Sequence, residues 1–227
     1  MKYLFTFSLF ESKESVDEIC KKYNIKNYTI NDDKSIDVNG NVDLNGKKLT
    51  KLPLKFNKLS GYFDCSYNQL TSLEGSPKSV SGDFDCSNNQ LASLEGSPQS
   101  VGGYFYCSHN QLTSLEGSPQ SVGYFDCSYN QLTSLEGSPK SVSGDFGCNN
   151  NQIKDFNGFP EYFENDLYIW DNPVSNVYEL FDDALKITLF NEYDIIRENE
   201  IILDRLNDFL NHIGESEVNS VKEYICI

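Results

Sequence analysis

Cations and histidine are what this chain has least of. It carries 18 Lys and Arg against 34 Asp and Glu in 227 residues, a formal net charge of −16, and two histidines. So few cations argue against direct nucleic-acid binding, which needs phosphates to be neutralised. The balance suits a protein partner with a basic surface, although net acidity also promotes solubility by itself. The charge is uneven: residues 1–56 carry 10 basic and 8 acidic groups, residues 57–150 carry 3 and 9, and residues 151–227 carry 5 and 17. Neither His109 nor His212 has a nucleophile at motif spacing, and there is no phosphate-binding glycine loop, H-E-x-x-H or G-x-S-x-G. The chain therefore reads as non-enzymatic, with no catalytic, cofactor or metal residues expected. No apolar run approaches the ~18 to 20 residues of a membrane span. Met1 to Phe10 is apolar but short, holds a lysine and lacks a small-residue cleavage site, which makes it a poor secretory signal.

What the chain has in abundance is one phrase. Phe84-Asp-Cys-Ser-Asn-Asn-Gln-Leu91-Ala-Ser-Leu94-Glu-Gly-Ser-Pro98 returns almost unchanged from Phe63, Phe105 and Phe125. Weaker copies start at Val42, Phe146 and Leu167, so the period is 21 with one step of 20. Such a period predicts a solenoid, because one unit cannot bury its apolar side alone. Within a copy, Phe84-x-Cys86 alternates as a short strand with both side chains inward. Leu91 and Leu94 follow from the next turn, and Val101 closes the coil. Pro98 and its equivalents Pro77, Pro119, Pro139 and Pro160 suit an extended outer segment that needs no ladder hydrogen bond. A column of Asn68, Asn89, Asn110, Asn130, Asn151 and Asn172 is placed to satisfy backbone groups of its own and the next coil.

Cys65, Cys86, Cys107, Cys127 and Cys148 share one inward column. Neighbours on adjacent strands would lie about 4.8 Å apart with parallel Cβ vectors, a poor approach for a disulfide. No C-x-x-C pair suggests zinc. They read as small buried hydrophobes, and reduced thiols point to the cytoplasm.

This pattern resembles the leucine-rich repeat family, whose L-x-L-x-x-N-x-L core is matched by Phe84-x-Cys86-x-x-Asn89-x-Leu91. Short coils with Leu-x-x-Leu and then proline most resemble the bacterial effector type. Phe and Cys depart from the usual leucines while keeping the apolar character. The phrase Asn-Gln-Leu-Thr-Ser-Leu-Glu-Gly-Ser-Pro is also similar to repeat proteins of large tailed phages. The resemblance implies an α/β solenoid with one parallel strand per coil, an extended convex side and a protein-binding role, acting in host cytoplasm if phage-encoded. Some effectors of this type carry a cysteine-dependent ubiquitin ligase domain. The only later cysteine here is Cys226, so that activity is not carried over.

The expected organisation is an N-terminal cap over 1–40, about seven coils over 41–174 and a helical C-terminal cap over 175–227. In the first cap, Val16, Ile19, Cys20 and Tyr23 give a helix over Ser12–Tyr23. A hairpin pairs Tyr28–Ile30 with Ser35–Val38. In the second, helices are predicted over Ser175–Leu185, with Ser175 as N-cap, and over Asn199–Ile213, stopped by Gly214. The 10 residues of Ile187–Ile196 are ambiguous.

Differences between copies concentrate at positions that point outward from the strands. These are Tyr62, Asp64 and Tyr67; Asp83, Asp85 and Asn88; Tyr104, Tyr106 and His109; Tyr124, Asp126 and Tyr129; then Asp145, Gly147 and Asn150. Asp166, Tyr168, Trp170 and Asp171 complete the series. Glu74, Glu95, Glu116 and Glu136 on the convex side barely differ. The concave Tyr/Asp face is therefore the expected partner-binding surface, and Asp64, Asp83 and Asp85 read as a solvated acidic face rather than a cation site. Two alternatives stand beside it. One is an acidic inhibitor that mimics nucleic acid. The other is a packaged virion protein, since Leu9-Phe10-Glu11-Ser12 resembles the cleavage sites of large-phage maturation proteases.

Overall fold

The computed structural model describes residues 14–197 and 200–227, so Leu9–Ser12 and the start of the predicted first helix lie outside the described residues. Stacking of the copies builds parallel sheets around a shared core, with few helices. The first sheet has seven strands, one per copy: Val42–Asp43, Phe63–Asp64, Phe84–Asp85, Tyr104–Tyr106, Tyr124–Asp126, Phe146–Gly147 and Leu167–Tyr168. Every pairing is parallel and in register, Phe63 to Phe84 to Phe105 to Phe125 to Phe146. A fixed period brings each side chain over its own equivalent. The phenylalanine rings accordingly stack, with centroids 5.2 to 5.7 Å apart, and each is fully buried. Full burial of one such ring contributes about 1.5–3 kcal/mol. The five column cysteines are buried free thiols, and burial pushes their pKa values up.

The expectation of one strand per coil needs correction. Each complete copy carries a second parallel strand: Phe56–Leu59, Ser79–Val80, Ser100–Val101, Ser121–Val122, Ser141–Val142 and Tyr162–Phe163. Lys78 N–H donates to Asn57 O (2.8 Å) and Gly102 N–H to Val80 O (2.9 Å). The buried prolines fall just ahead of these strands, where no ladder donor is needed. Beyond them, identical backbone paths in adjacent copies bring N–H and C=O together whatever the side chains. This second sheet comes in two parts, interrupted between Ser100–Val101 and Ser121–Val122, while the first sheet runs unbroken.

The asparagine column bridges copies, but to the preceding copy rather than the next. Leu91 N–H donates to Asn110 Oδ1 (3.0 Å), and Asn110 Nδ2 donates to Cys86 O (3.0 Å), Cys107 O (3.2 Å) and Ser108 O (3.3 Å). The Oδ1 contact recurs at all six asparagines at 2.9 to 3.0 Å.

At the N-terminal end, helix Val16–Lys22 starts with a capping box between Ser15 and Glu18. The hairpin pairs Tyr28–Ile30 with Ile36–Val38, and the latter continues the second sheet beside Phe56–Leu59.

The C-terminal region differs more from expectation. Ser175–Tyr178 is a single helical turn, and Ser175 does not cap it; its hydroxyl donates to Asn172 O (2.6 Å). Asp182 has φ 39° and the Asp183 carboxylate accepts from Leu185 N–H, which ends one element and starts a short 3-10 turn, Ala184–Lys186. Helix Ile187–Glu192 occupies the ambiguous stretch. The last helix is Leu203–Ile213, ended by Gly214 in the left-handed region, while Glu200–Ile201 is a strand between Ile196–Arg197 and Ile225–Cys226. Phe156, Phe181, Phe190 and Phe209 close over this end edge to face.

Candidate functional site: the aromatic and acidic face of the first sheet

Three columns face outward along the first sheet, and strand alternation accounts for two of them. One runs Tyr62, Asp83, Tyr104, Tyr124, Asp145, Asp166. The next runs Asp64, Asp85, Tyr106, Asp126, Gly147, Tyr168, in register by strand pairing. The third lies just past the strands and runs Gly46, Tyr67, Asn88, His109, Tyr129, Asn150, Asp171. All seven of its members have φ between 52° and 64°. Glycine tolerates that backbone, asparagine, aspartate and histidine enter it several-fold more often than other residues, and tyrosine adopts it at a cost. Trp170 stands elsewhere, at the position that Ser66, Ser87, Ser108 and Ser128 hold in other copies.

The aromatic residues gather in the fourth and fifth copies. Tyr104, Tyr106 and Tyr124 have ring centroids 5.4 to 6.1 Å apart. His109 and Tyr129 stack at 4.2 Å with planes 9° apart. One glycine lies close against these rings and a second merely borders them. A Cβ on Gly123 would lie 3.3 Å from Tyr104 Cδ1, and one on Gly147 would lie 3.6 Å from the Tyr124 hydroxyl. Gly123 belongs to the step of 20 residues, so the missing residue falls beneath Tyr104. Tyr168 and Trp170 form a separate pair at 5.4 Å in the seventh copy. Tyr62 and Tyr67, in the second, make no ring contact with either group. Tyr67 is 64% exposed, Trp170 50% and Tyr129 47%.

The carboxylates have structural duties that the sequence reading missed. Asp64 Oδ1 accepts from Ser66 N–H (2.9 Å) and Oγ (2.6 Å), Asp85 Oδ1 from Ser87 N–H (2.8 Å) and Oγ (2.6 Å), and Asp126 Oδ1 from Ser128 N–H (2.9 Å). Asp83 Oδ1 instead accepts from Tyr104 N–H in the next copy (2.9 Å), and Asp145 Oδ1 from Asp166 N–H (3.3 Å). The Asp-x-Ser spacing was the available signal, since Asp readily accepts from the backbone two residues on. Burial raises the Asp85 pKa against the opposing pull of Ser87. Burial, then the nearby carboxylates, raises those of Tyr106 and Tyr124.

No family model, curated protein or solved structure matches this chain. Among the described residues, no helix is long and apolar enough to cross a membrane, and no three acidic, His or Cys side chains converge as a metal site would require.

Proposed function

We propose that the stack is a leucine-rich repeat solenoid serving as a non-catalytic protein-binding module, with the first sheet's outward face contacting a basic partner. The observation that carries this reading is the left-handed column. The chain itself uses Gly46, Asn88, Asn150 and Asp171 there, residues suited to the backbone. Tyr67 and Tyr129 are worse backbone choices at the same positions, and both side chains are solvent-exposed. The His109 stack offsets the cost at Tyr129, whereas at Tyr67, whose ring meets no other ring, contact with something outside the chain accounts for the retained strain. Tyrosine also supplies large contact area at little entropy cost and is enriched at interface hot spots.

The test is affinity capture from expressing cells with the wild-type chain and two pairs of variants. Tyr106→Ala and Tyr124→Ala should each weaken partner binding by about 1–3 kcal/mol. Glu95→Ala and Glu116→Ala, in the loops between the two sheets, should leave it unchanged. The reverse pattern would show that the binding surface lies elsewhere.

A further inference from the structure

We infer that this face is laid out to receive arginine side chains of one partner segment at three stations, about 12 Å apart along the stacking axis. This rests on the protein-binding reading above and names the chemistry of the partner.

The stations follow from where rings are present and where they are missing. Aromatic side chains occupy the second copy, the fourth and fifth together, and the seventh. The third and sixth copies present Asp83, Asp85 and Asn88, and Asp145, Gly147 and Asn150, with no ring. At ~4.8 Å per strand, the centres of the three groups are two and a half spacings apart, or about 12 Å.

At the first two stations, acceptors already held in place stand between the rings, while at the third Asp145 uses both oxygens, Oδ2 accepting from the Tyr168 hydroxyl (3.4 Å). Asp64, Asp83, Asp85 and Asp126 each use Oδ1 on a backbone or serine donor. Their Oδ2 atoms have no protein donor among the described residues. A carboxylate fixed by one oxygen and open at the other loses little freedom when a donor arrives. The strand segments from 62–68 to 166–172 contain no Lys or Arg that would neutralise them, and His109 is the one basic side chain there.

These features select guanidinium over other groups. Its plane stacks on a tyrosine ring while its N–H fork meets the adjacent carboxylate, a combination that an ammonium group cannot make. A neutral sugar also stacks on rings but gains nothing from the negative field, and an acidic sugar is repelled by it. The raised proton affinity of the Tyr106 and Tyr124 hydroxyls reflects the same carboxylates, after burial.

The probe is a labelled nonapeptide, Arg-Gly-Ser-Gly-Arg-Gly-Ser-Gly-Arg, titrated into the full chain and followed by fluorescence anisotropy. Four extended residues span about 13 Å, close to one station spacing. An isomer with its three arginines adjacent has the same charge and composition. The spaced peptide should bind about fivefold tighter than this isomer, and replacing its arginines with lysine should weaken it by about the same factor. Tyr67→Asn and Trp170→Ser, which copy Asn88 of the adjacent repeat and Ser128 of the fifth and so respect the fold, should each weaken the spaced peptide about threefold. Both should weaken the clustered isomer less than the spaced peptide, because its arginines can gather at any one station. Equal affinity for the two isomers would reduce the effect to general charge attraction and overturn the inference. So would tight binding of a neutral oligosaccharide such as chitohexaose with no preference for the spaced peptide. If the isomers bind alike but Tyr106→Ala still abolishes capture of a cellular partner, the arginine layout fails while the protein-binding reading stands. If Tyr106→Ala leaves that capture intact, the protein-binding reading fails as well.

Discussion

Replacing Tyr67 with asparagine should make the protein more stable and a poorer binder. The backbone at Tyr67 has φ 52°, and its equivalent Asn88 has φ 54°. Asparagine enters the left-handed region several-fold more readily than an ordinary residue, which corresponds to about 0.6–1 kcal/mol. Tyr67 is 64% exposed and its ring meets no other ring, so little packing is lost to set against this gain. The net expectation is a stabilisation of about 0.5–1 kcal/mol. Tyr129 provides the internal control. Its backbone relief is the same, but the stack with His109 at 4.2 Å is lost, and an aromatic pair contributes about 0.5–1.5 kcal/mol. Tyr129→Asn should therefore be near neutral or slightly destabilising. Urea unfolding followed by tyrosine fluorescence and by far-ultraviolet dichroism gives both numbers, and coincident transitions show whether one free energy describes the stack. A loss of stability in Tyr67→Asn would mean that the ring is structural, and the strain argument for the binding face would fall with it.

Asn110→Ala should cost about 3 kcal/mol, because it leaves the buried Leu91 N–H without its acceptor and three carbonyls without their shared donor. Asn110→Asp should cost more, since it restores the acceptor but points a charge at those carbonyls; denaturant midpoints rank the two. Gly137→Ala should destabilise by more than about 1–2 kcal/mol, because at φ 86° a Cβ would stand 2.5 Å from Glu116 N; thermal melting measures it. Asp85→Asn keeps an acceptor for Ser87 and removes a carboxylate whose pKa burial raises above 3.8. A carboxyl that binds protons more tightly folded than unfolded lowers stability at neutral pH, and this cost fades as pH falls through its folded pKa. The variant should accordingly be more stable than wild type at pH 7, with urea midpoints converging as pH approaches the ordinary carboxylate range.

The parts of the fold that were legible in the sequence are those set by side chains repeating in place. Phe84, Cys86, Leu91 and Leu94 announce burial by type, and the period puts each over its copy. The second strand was not legible, because Ser79–Val80 and its equivalents pair through backbone alone and their Ser and Gly neighbours suggest loop. At the C-terminal end, Glu200–Ile201 looked like the start of a helix. Its pairing with Ile225–Cys226 is remote in sequence and leaves no local trace. On the face, alternation identified the outward residues. Their backbone state was hidden at Tyr67 and Tyr129 but readable from Gly46, Asn88 and Asn150 in the same column.

The interruption of the second sheet has a mechanical meaning. Any bend of the stack must stretch or compress the backbone ladders that join its copies. The second ladder lacks its strand pairing between Ser100–Val101 and Ser121–Val122, just ahead of Tyr104 and Tyr124 in the chain, where the bond from Gly123 N–H to Gly103 O (2.9 Å) is retained. The first sheet crosses the same place with its pairing intact and acts as the flexible strip of a hinge. Fewer backbone bonds therefore join the fourth and fifth copies than join the others, so the stack resists bending least at the centre of the face, within one continuous core.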